Sequence, residues 1–297
     1  MPFRFTVLAS GSSGNASLLE RNEFGVLLDA GLSVRQLDAR LNLVGTGWTP
    51  IRAALLTHTH SDHWNDQSFT ALLQRRVTLY CHPEHVPQLA EASAVFQQLQ
   101  WAGLVRHYAT TGRFCLSPGF ECAPVKLRHD SGATFGFRFS AAADETHAAA
   151  DLAYAADLGT WDDRVAQAFS DVDVLALEFN HDVALQRASG RAARLIERVL
   201  GNEGHLSNEQ AAALLQETLR LSRSARLRHV VQLHLSRECN RPDLAVQAAR
   251  AATARVGQSI AVHTASAAVP TATIEVGRPL DELAIGPVPL VARNAEG

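Results

Sequence analysis

A single lysine, Lys126, occurs among the 297 residues, so nearly every basic contact must come from arginine, whose planar fork suits bidentate recognition of phosphate. The four cysteines (Cys81, Cys115, Cys122 and Cys239) lack C-x-x-C spacing. That speaks against a cysteine zinc site and for reduced, structural thiols in a cytoplasmic protein, and it makes any metal site one of nitrogen and oxygen. No apolar stretch is long enough to span a bilayer, and the opening Met1-Pro2-Phe3-Arg4-Phe5-Thr6 does not read as a signal peptide. Internal repeats and low-complexity linkers are also missing. A net charge of −3 is not that of a protein that coats nucleic acid, yet Asp182–Arg250 holds 11 arginines against 7 acidic residues. Arg191, Arg194 and Arg198 fit equally well the wet face of a helix that buries Leu195, Ile196, Val199 and Leu200. With 46% hydrophobic residues, the chain can fill the core of one large domain or two small ones.

What is present is concentrated chemistry. The apolar run Ile51–Thr57 leads directly into His58-Thr59-His60-Ser61-Asp62-His63, three imidazoles and a carboxylate on six consecutive residues. Such groups are costly at the end of a buried strand unless something offsets their polarity, and a divalent metal does so. The alternative is a solvated His-rich turn. Against it, ligand-type residues recur in similar settings: Asp29 after Val26-Leu27-Leu28, His129 after Lys126-Leu127-Arg128, Asp157 after Tyr154-Ala155-Ala156, and His234 after Val231-Gln232-Leu233.

The H-x-H-x-D-H pattern, with these four residues in this order, resembles the metallo-β-lactamase superfamily over most of the chain. The resemblance implies an α+β fold of the αββα four-layer sandwich type, two facing mixed β-sheets flanked by helices, with the site where strand ends of both sheets meet. It further implies two divalent ions, zinc or manganese with iron as an alternative. His58, His60 and His129 would hold one, Asp62, His63 and His234 the other, and Asp157 would bridge them, leaving room for a shared water or hydroxide. Two cations beside one water lower its pKa towards neutrality and supply a nucleophile. Asp29 is read as orienting a ligand imidazole through a hydrogen bond, with a plain turn residue before Gly31 as the alternative.

Hydrophobic periodicity gives a layout that agrees with such a sandwich. Strands are expected at Phe3–Ala9, Ala16–Glu20, Gly25–Asp29, Ala53–Thr57, Thr78–Cys81, Phe120–Pro124, Thr134–Ser140, Leu152–Ala156, Val172–Phe179 and His229–Leu233. Helices are expected at Ser33–Leu43, Asp66–Gln74, Pro83–Gln97, Trp161–Phe169, Gly190–Leu200, Asn208–Arg220 and Arg241–Ala252. Residues 1–277 would form the catalytic domain and 278–297 a loosely ordered tail.

Two further motifs bear on which bond is cut. Glu178 closes the apolar run before Phe179-Asn180-His181-Asp182, and His205 lies in Gly204-His205-Leu206-Ser207-Asn208-Glu209-Gln210, where Ser207 and Gln210 form a capping box. Together they resemble the Glu and His pair of the RNase Z branch, in which the His protonates the leaving oxygen and the Glu orients it. A helix N-terminus disfavours an imidazolium, so His205 would need a carboxylate partner such as Glu178. The alternative for His205 is a plain residue at a helix start. A phosphodiester's alkoxide leaving group profits from such an acid, whereas a thiolate needs it little.

Leu8–Ala16, Glu178–Asp182, Gly204–Asn208 and His234–Asn240 together are similar to the WalJ (YycJ) subfamily, bacterial and cytoplasmic, which implies 5′-to-3′ exonuclease action on DNA. Cys239 departs from the Asn of that subfamily's Glu-Asn-Asn run. In the Ser10–Asn15 loop, Ser12, Ser13 and Asn15 are candidates to cradle a phosphate, although Gly/Ser-rich hairpin turns are common. The expected activity is that of a dinuclear phosphodiesterase with Asp62, Glu178 and His205 as catalytic residues and nucleic acid, DNA above all, as substrate. A small-molecule hydrolase of the same fold, acting on a thioester, lactone or cyclic phosphodiester, is the alternative. A binding protein with a degenerate site is a third, which the full set of ligand residues disfavours.

Overall fold

Consecutive apolar residues mark strands covered on both faces, and alternating ones mark strands with one wet face. The computed structural model describes residues 2–254 and 259–280, and both kinds of strand occur in its two seven-stranded sheets. The first sheet contains β1 (Phe3–Ala9), β2 (Ala16–Arg21), β3 (Phe24–Leu28), β4 (Ile51–Leu55), β5 (Thr78–Cys81), β6 (Val105–His107) and β14 (Ile274–Val276), in the order β14-β1-β2-β3-β4-β5-β6. The second contains β7 (Phe114–Ser117), β8 (Phe120–Leu127), β9 (Thr134–Ala141), β10 (Ala150–Ala155), β11 (Val174–Glu178), β12 (His229–Leu233) and β13 (Ala261–Thr264), in the order β13-β12-β11-β10-β9-β8-β7. Each sheet is antiparallel on one side and parallel on the other. The change falls at β3 in the first sheet and at β10 in the second.

Three apolar clusters define four layers. Phe5, Phe135, Phe137, Phe139 and Tyr154 fill the space between the sheets. Leu37 and Leu41 of α1 (Val34–Leu43), with Phe69 and Leu72 of α2 (Asp66–Arg75), cover the outside of the first sheet. Val165 of α5 (Asp163–Ala168), Leu214 and Leu215 of α8 (Asn208–Leu221), and Ala245 and Ala249 of α9 (Pro242–Thr253) cover the second. This is the expected helix–sheet–sheet–helix sandwich. Capping boxes at Ser33/Gln36, Asn65/Ser68 and Ser207/Gln210 set where α1, α2 and α8 begin, each satisfying backbone amides that the helix itself leaves unpaired. Among the described residues, no helix is long and apolar enough to cross a membrane.

Departures from the expected layout have local causes. The single helix expected over Pro83–Gln97 is a 3-10 turn at Pro83–His85 followed by α3 (Val86–Ala92) and α4 (Ala94–Trp101). The break falls at Ser93, which is extended and whose hydroxyl accepts from the Phe96 amide and donates to Asp66. An added helix, α6 (Val183–Ala188), is capped by Asp182 ahead of α7 (Ala193–Leu200). Strands β6, β7, β13 and β14 escaped the sequence reading because each spans only three or four residues at a sheet edge, too short for periodicity to show. Of the expected tail, Arg278 and Leu280 bond backbone to backbone with Ala148 and Thr146, while 281–297 lie outside the described residues.

Phe137 has no exposed surface and packs edge-on against Tyr108 with centroids 5.3 Å apart. Phe137→Ala should therefore lower the free energy of unfolding by about 3–5 kcal/mol, as read from urea denaturation. A cost under about 1 kcal/mol would show that the sandwich interior is not packed around this ring.

Candidate metal centre

Strand ends build this site. Asp29 follows β3, His58–His63 follow β4, and His129 comes two residues after β8. Asp157 comes two residues after β10, Glu178 closes β11, and His234 follows β12. All but His129 leave the carboxyl ends of strands in the parallel halves of the sheets, the usual position for a site in such sheets. Asp29 and His234 sit in the left-handed region, with φ of 59° and 53°. A non-glycine residue held there costs about 1–3 kcal/mol, and such strain gathers at functional positions. Here it turns the chain sharply as it leaves the strand.

The seven expected ligand residues converge. His58, His60 and His129 each present a ring nitrogen, and the three atoms lie within 4.8 Å of one another. His129 Nδ1 donates to the Gly204 carbonyl at 2.8 Å, which leaves its Nε2 a lone pair facing His60 Nδ1 at 3.3 Å. A second group surrounds Asp62 Oδ2, which lies 3.6 Å from His63 Nε2 and 3.6 Å from His234 Nε2. Asp157 stands between the groups, with Oδ2 3.1 Å from His63 Nε2 and Oδ1 3.1 Å from His234 Nδ1.

Whether these residues suit divalent ions can be tested on their unpartnered atoms. His58 Nε2, His234 Nε2 and Asp157 Oδ2 are buried and have no hydrogen-bond partner. Buried polar atoms left so are costly, and here all three face other nitrogen and oxygen donors. A divalent cation satisfies such a set, and the donors, imidazole and carboxylate without thiolate, are those of zinc, manganese or iron. The clusters fit divalent metal binding.

Electrostatics lead to the same place. Burial and the neighbouring His63 hold the His58 imidazole well below its ordinary value. Burial acts the same way on His63, but Asp29 and Asp157 outweigh it and lift that ring well above. His234, also buried, is pushed up to about 10 by Asp157, Asp62 and Glu178. Burial would raise Asp157, yet His234 and His63 hold it well below the usual carboxylate range. Positive charge placed among these groups therefore meets carboxylates already ionised.

A set of residues behind the candidate ligands holds them. Asp29, 1% exposed, accepts from the Thr57 amide at 2.8 Å and lies 2.7 Å from the Nδ1 of His63, the imidazole it contacts. Thr57 was not singled out in the sequence, although its hydroxyl lies 2.9 Å from Asp29 Oδ2, 3.0 Å from His58 Nδ1 and 3.2 Å from His63 Nδ1. Its place directly before the His run was the only signal. Asn15, expected with Ser12 and Ser13 in a phosphate-cradling loop, is fully buried. Its amide donates to Asp62 Oδ2 at 3.1 Å, and its backbone N–H to the Asp62 carbonyl at 2.7 Å. Only Ser12 and Ser13 of that trio are exposed, and Ser12 lines a cavity with His205 and His234. Gly31 makes this packing feasible, because a Cβ there would overlap the Asp62 carbonyl.

Glu178 and His205 do pair. His205 Nδ1 lies 2.7 Å from Glu178 Oε1, and the Leu206 and Leu158 amides donate to Glu178 Oε2 at 3.1 and 3.2 Å. The same Oε1 lies 3.1 Å from His234 Nδ1, so the pair is joined to the candidate metal centre. Asn180, another residue not anticipated, donates from its amide to the His234 carbonyl at 2.8 Å. The cavity beside His205 is also lined by Arg191 and Arg198. Much of the arginine surplus is spent internally: Arg191 pairs with Glu238, Arg198 with Asp130, Arg220 with Glu217 and Arg226 with Asp173. Cys239 is buried away from the ligands, its amide bonded to Ser236.

Residues 25–234 match the family described as a beta-lactamase superfamily domain, a span that opens in β3 and closes on His234. The exodeoxyribonuclease WalJ of Streptococcus pneumoniae is 31% identical over 245 residues, covering 82% of this chain and 85% of that protein. The exodeoxyribonuclease YycJ of Bacillus anthracis is 26% identical over 282 residues, covering 91% and 98%. Among solved structures, the metallo-beta-lactamase fold protein YhfI from Bacillus subtilis superposes with a TM-score of 0.65 at 16% identity, covering 91% of this chain and 99% of that one. At that identity the likeness concerns the fold alone.

Removing the carboxylate that orients His63 should loosen the centre without touching its donors. Asp29→Ala is expected to lower metal affinity about 10–100-fold, measured by competition with a chromophoric chelator. Unchanged affinity would show that Asp29 serves only its turn.

Proposed function

Since this chain belongs to the beta-lactamase superfamily and is a metal-dependent hydrolase, we propose that it cleaves phosphodiester bonds at the 5′ end of nucleic acid, DNA above all. The observation that carries the reading is the 2.7 Å pairing of His205 with Glu178 beside the ligand cluster, in a cavity that also presents Arg191 and Arg198. The exodeoxyribonuclease relatives support the substrate class and the preference for DNA. Cytoplasmic residence belongs to the same reading and accords with four cysteines that form no disulfide.

Two divalent ions are assigned, zinc or manganese with iron as an alternative. His58, His60 and His129 would hold one, Asp62, His63 and His234 the other, with Asp157 shared. Bound there, such ions supply Lewis acidity towards phosphoryl oxygens and lower the pKa of water. The chain's own residues do the rest. Asp62 is fixed in place by Asn15, so its carboxylate cannot swing out of the cluster. The 2.7 Å contact to Glu178 occupies His205 Nδ1, which leaves Nε2 to face the cavity and give a proton to the leaving oxygen. Glu178 is anchored by two backbone amides and stabilises the charge that the ring carries before the transfer. Arg198 reaches the cavity while its guanidinium is held by Asp130, and Arg191 while held by Glu238, so both offer positive charge in fixed positions. Ser12, exposed at the same cavity, has a hydroxyl to offer a phosphate oxygen.

The acid role separates substrates by leaving group. His205→Ala should spare p-nitrophenyl phosphodiesters, whose leaving group needs no proton, and slow DNA hydrolysis on the order of 10²–10⁴-fold. Equal losses on both would remove His205 from that role. Asp62→Ala should abolish turnover on every substrate and lower the bound metal measured by elemental analysis. Rapid thioester or lactone hydrolysis, with no polynucleotide cleaved under Mn²⁺, Zn²⁺ or Mg²⁺, would overturn the phosphodiester reading in favour of a small-molecule substrate.

A further inference from the structure

The arginines that line the cavity beside His205 are held in ion pairs with carboxylates, but a second group of cations is not. Lys126, Arg128 and Arg164 are exposed, and among the described residues none of their side chains forms an ion pair or a hydrogen bond. All three line one cavity of about 430 Å³ between the end of β8, the start of α5 and residues 110–111. The single carboxylate on its wall, Asp162, is engaged in capping α5, where it accepts from the Arg164 and Val165 amides at 3.1 and 3.3 Å. The groove therefore carries a surplus of positive charge that nothing in the fold uses. Like charges on one concave wall repel one another and raise the local potential, which draws in anions.

Position and lining narrow the anion. Arg128 immediately precedes His129, and its carbonyl accepts from the Gly159 amide at 2.8 Å, two residues past Asp157. At Arg128 the groove lining thus comes within one residue of the candidate ligand His129 along the chain. Lys126, in β8, and Arg128, one residue past its end, are exposed on either side of the buried Leu127, their backbones about 7 Å apart, so the charge is spread along the chain rather than gathered at a point. Thr111 and Thr160 add hydroxyls. No aromatic ring lines the cavity, so bases have no surface on which to stack. Charge and hydroxyls without stacking surfaces suit a phosphate–sugar backbone read without regard to sequence.

We propose that this groove holds backbone phosphates of the substrate strand beyond the cleft, through Lys126, Arg128 and Arg164. The proposal rests on the nuclease reading above, and the test separates the two. Binding is measured on the full chain by fluorescence anisotropy in chelator, so that nothing is cleaved. The probes are a labelled single strand of about twenty nucleotides and a dinucleotide, over a range of salt. For K126A/R128A/R164A we expect at least tenfold weaker binding of the long strand. The slope of log affinity against log salt should fall by roughly two units, the share of three phosphate contacts on single strands. Dinucleotide binding and p-nitrophenyl phosphodiester turnover should not change, and the charge-conserving K126R/R128K/R164K should keep most of the long-strand affinity. An unaltered salt slope in a variant of an enzyme that does bind and cleave DNA would overturn the groove assignment alone. Equal losses on the long strand and the dinucleotide would overturn it too, because the defect would then lie in the cleft. A wild-type protein that neither binds nor cleaves any polynucleotide would bring down the nuclease reading and this proposal with it.

Discussion

One buried carboxylate ties the candidate centre together. Asp29 binds the backbone and hydroxyl of Thr57, and through it the ring of His58, while contacting His63 directly. The two ends of the H-x-H-x-D-H run are thereby fixed to one point at the end of a neighbouring strand. That choice has a cost, since Asp29 must adopt a left-handed backbone and give up nearly all its solvent. The hydrogen bonds offset the desolvation only while Thr57 and His63 stay in place, so ring orientation and local fold support each other.

The same region joins the sheets. The Phe135 amide of β9 donates to the Thr57 carbonyl at 3.1 Å, while within the first sheet the Tyr108 hydroxyl, just past β6, donates to the Leu56 carbonyl at 2.8 Å. The Thr57 carbonyl, which a purely apolar interface would leave unsatisfied, thus serves as a crossing point between the sheets. Beneath it lies the aromatic interior around Phe135, Phe137 and Tyr154; above it lies the cluster of imidazoles and carboxylates. The transition from apolar core to concentrated charge takes place within a few residues at the ends of the strands. This accounts for the abruptness with which Ile51–Thr57 gives way to His58–His63 in the sequence.

The central strands could be read from the sequence because each leaves a local mark, while the four layers and the set of donors followed from the resemblance that the H-x-H-x-D-H run and the later Asp and His residues carry. A buried parallel strand such as β11 is apolar at successive positions, and a ligand follows such a run directly, as His234 follows β12. Residues that act through tertiary contact left no such mark. Thr57 is an ordinary β-branched residue until Asp29 is brought beside it. Asn15 reads as a turn residue, and its service to Asp62 depends on a partner 47 positions away. Arginine content in the C-terminal half points to a phosphate grip there, but pairing is invisible to composition. The carboxylates of Glu238, Asp130, Glu217 and Asp173 take up several of those charges. The helix break at Ser93 depends likewise on Asp66, from a helix distant in the chain.

The pairing of Phe3 with Val276 carries a consequence for how the protein is made. The outer edge of β1 has its partner β14 only after all the strands between them have been made, and His234 also emerges long after His58–His63. Until then a growing chain displays an open strand edge and an incomplete set of imidazoles and carboxylates. Contacts of such long sequence separation close slowly, and exposed edges invite association with other chains. A chain stopped before β14 is therefore expected to associate with other chains more readily than the finished sandwich.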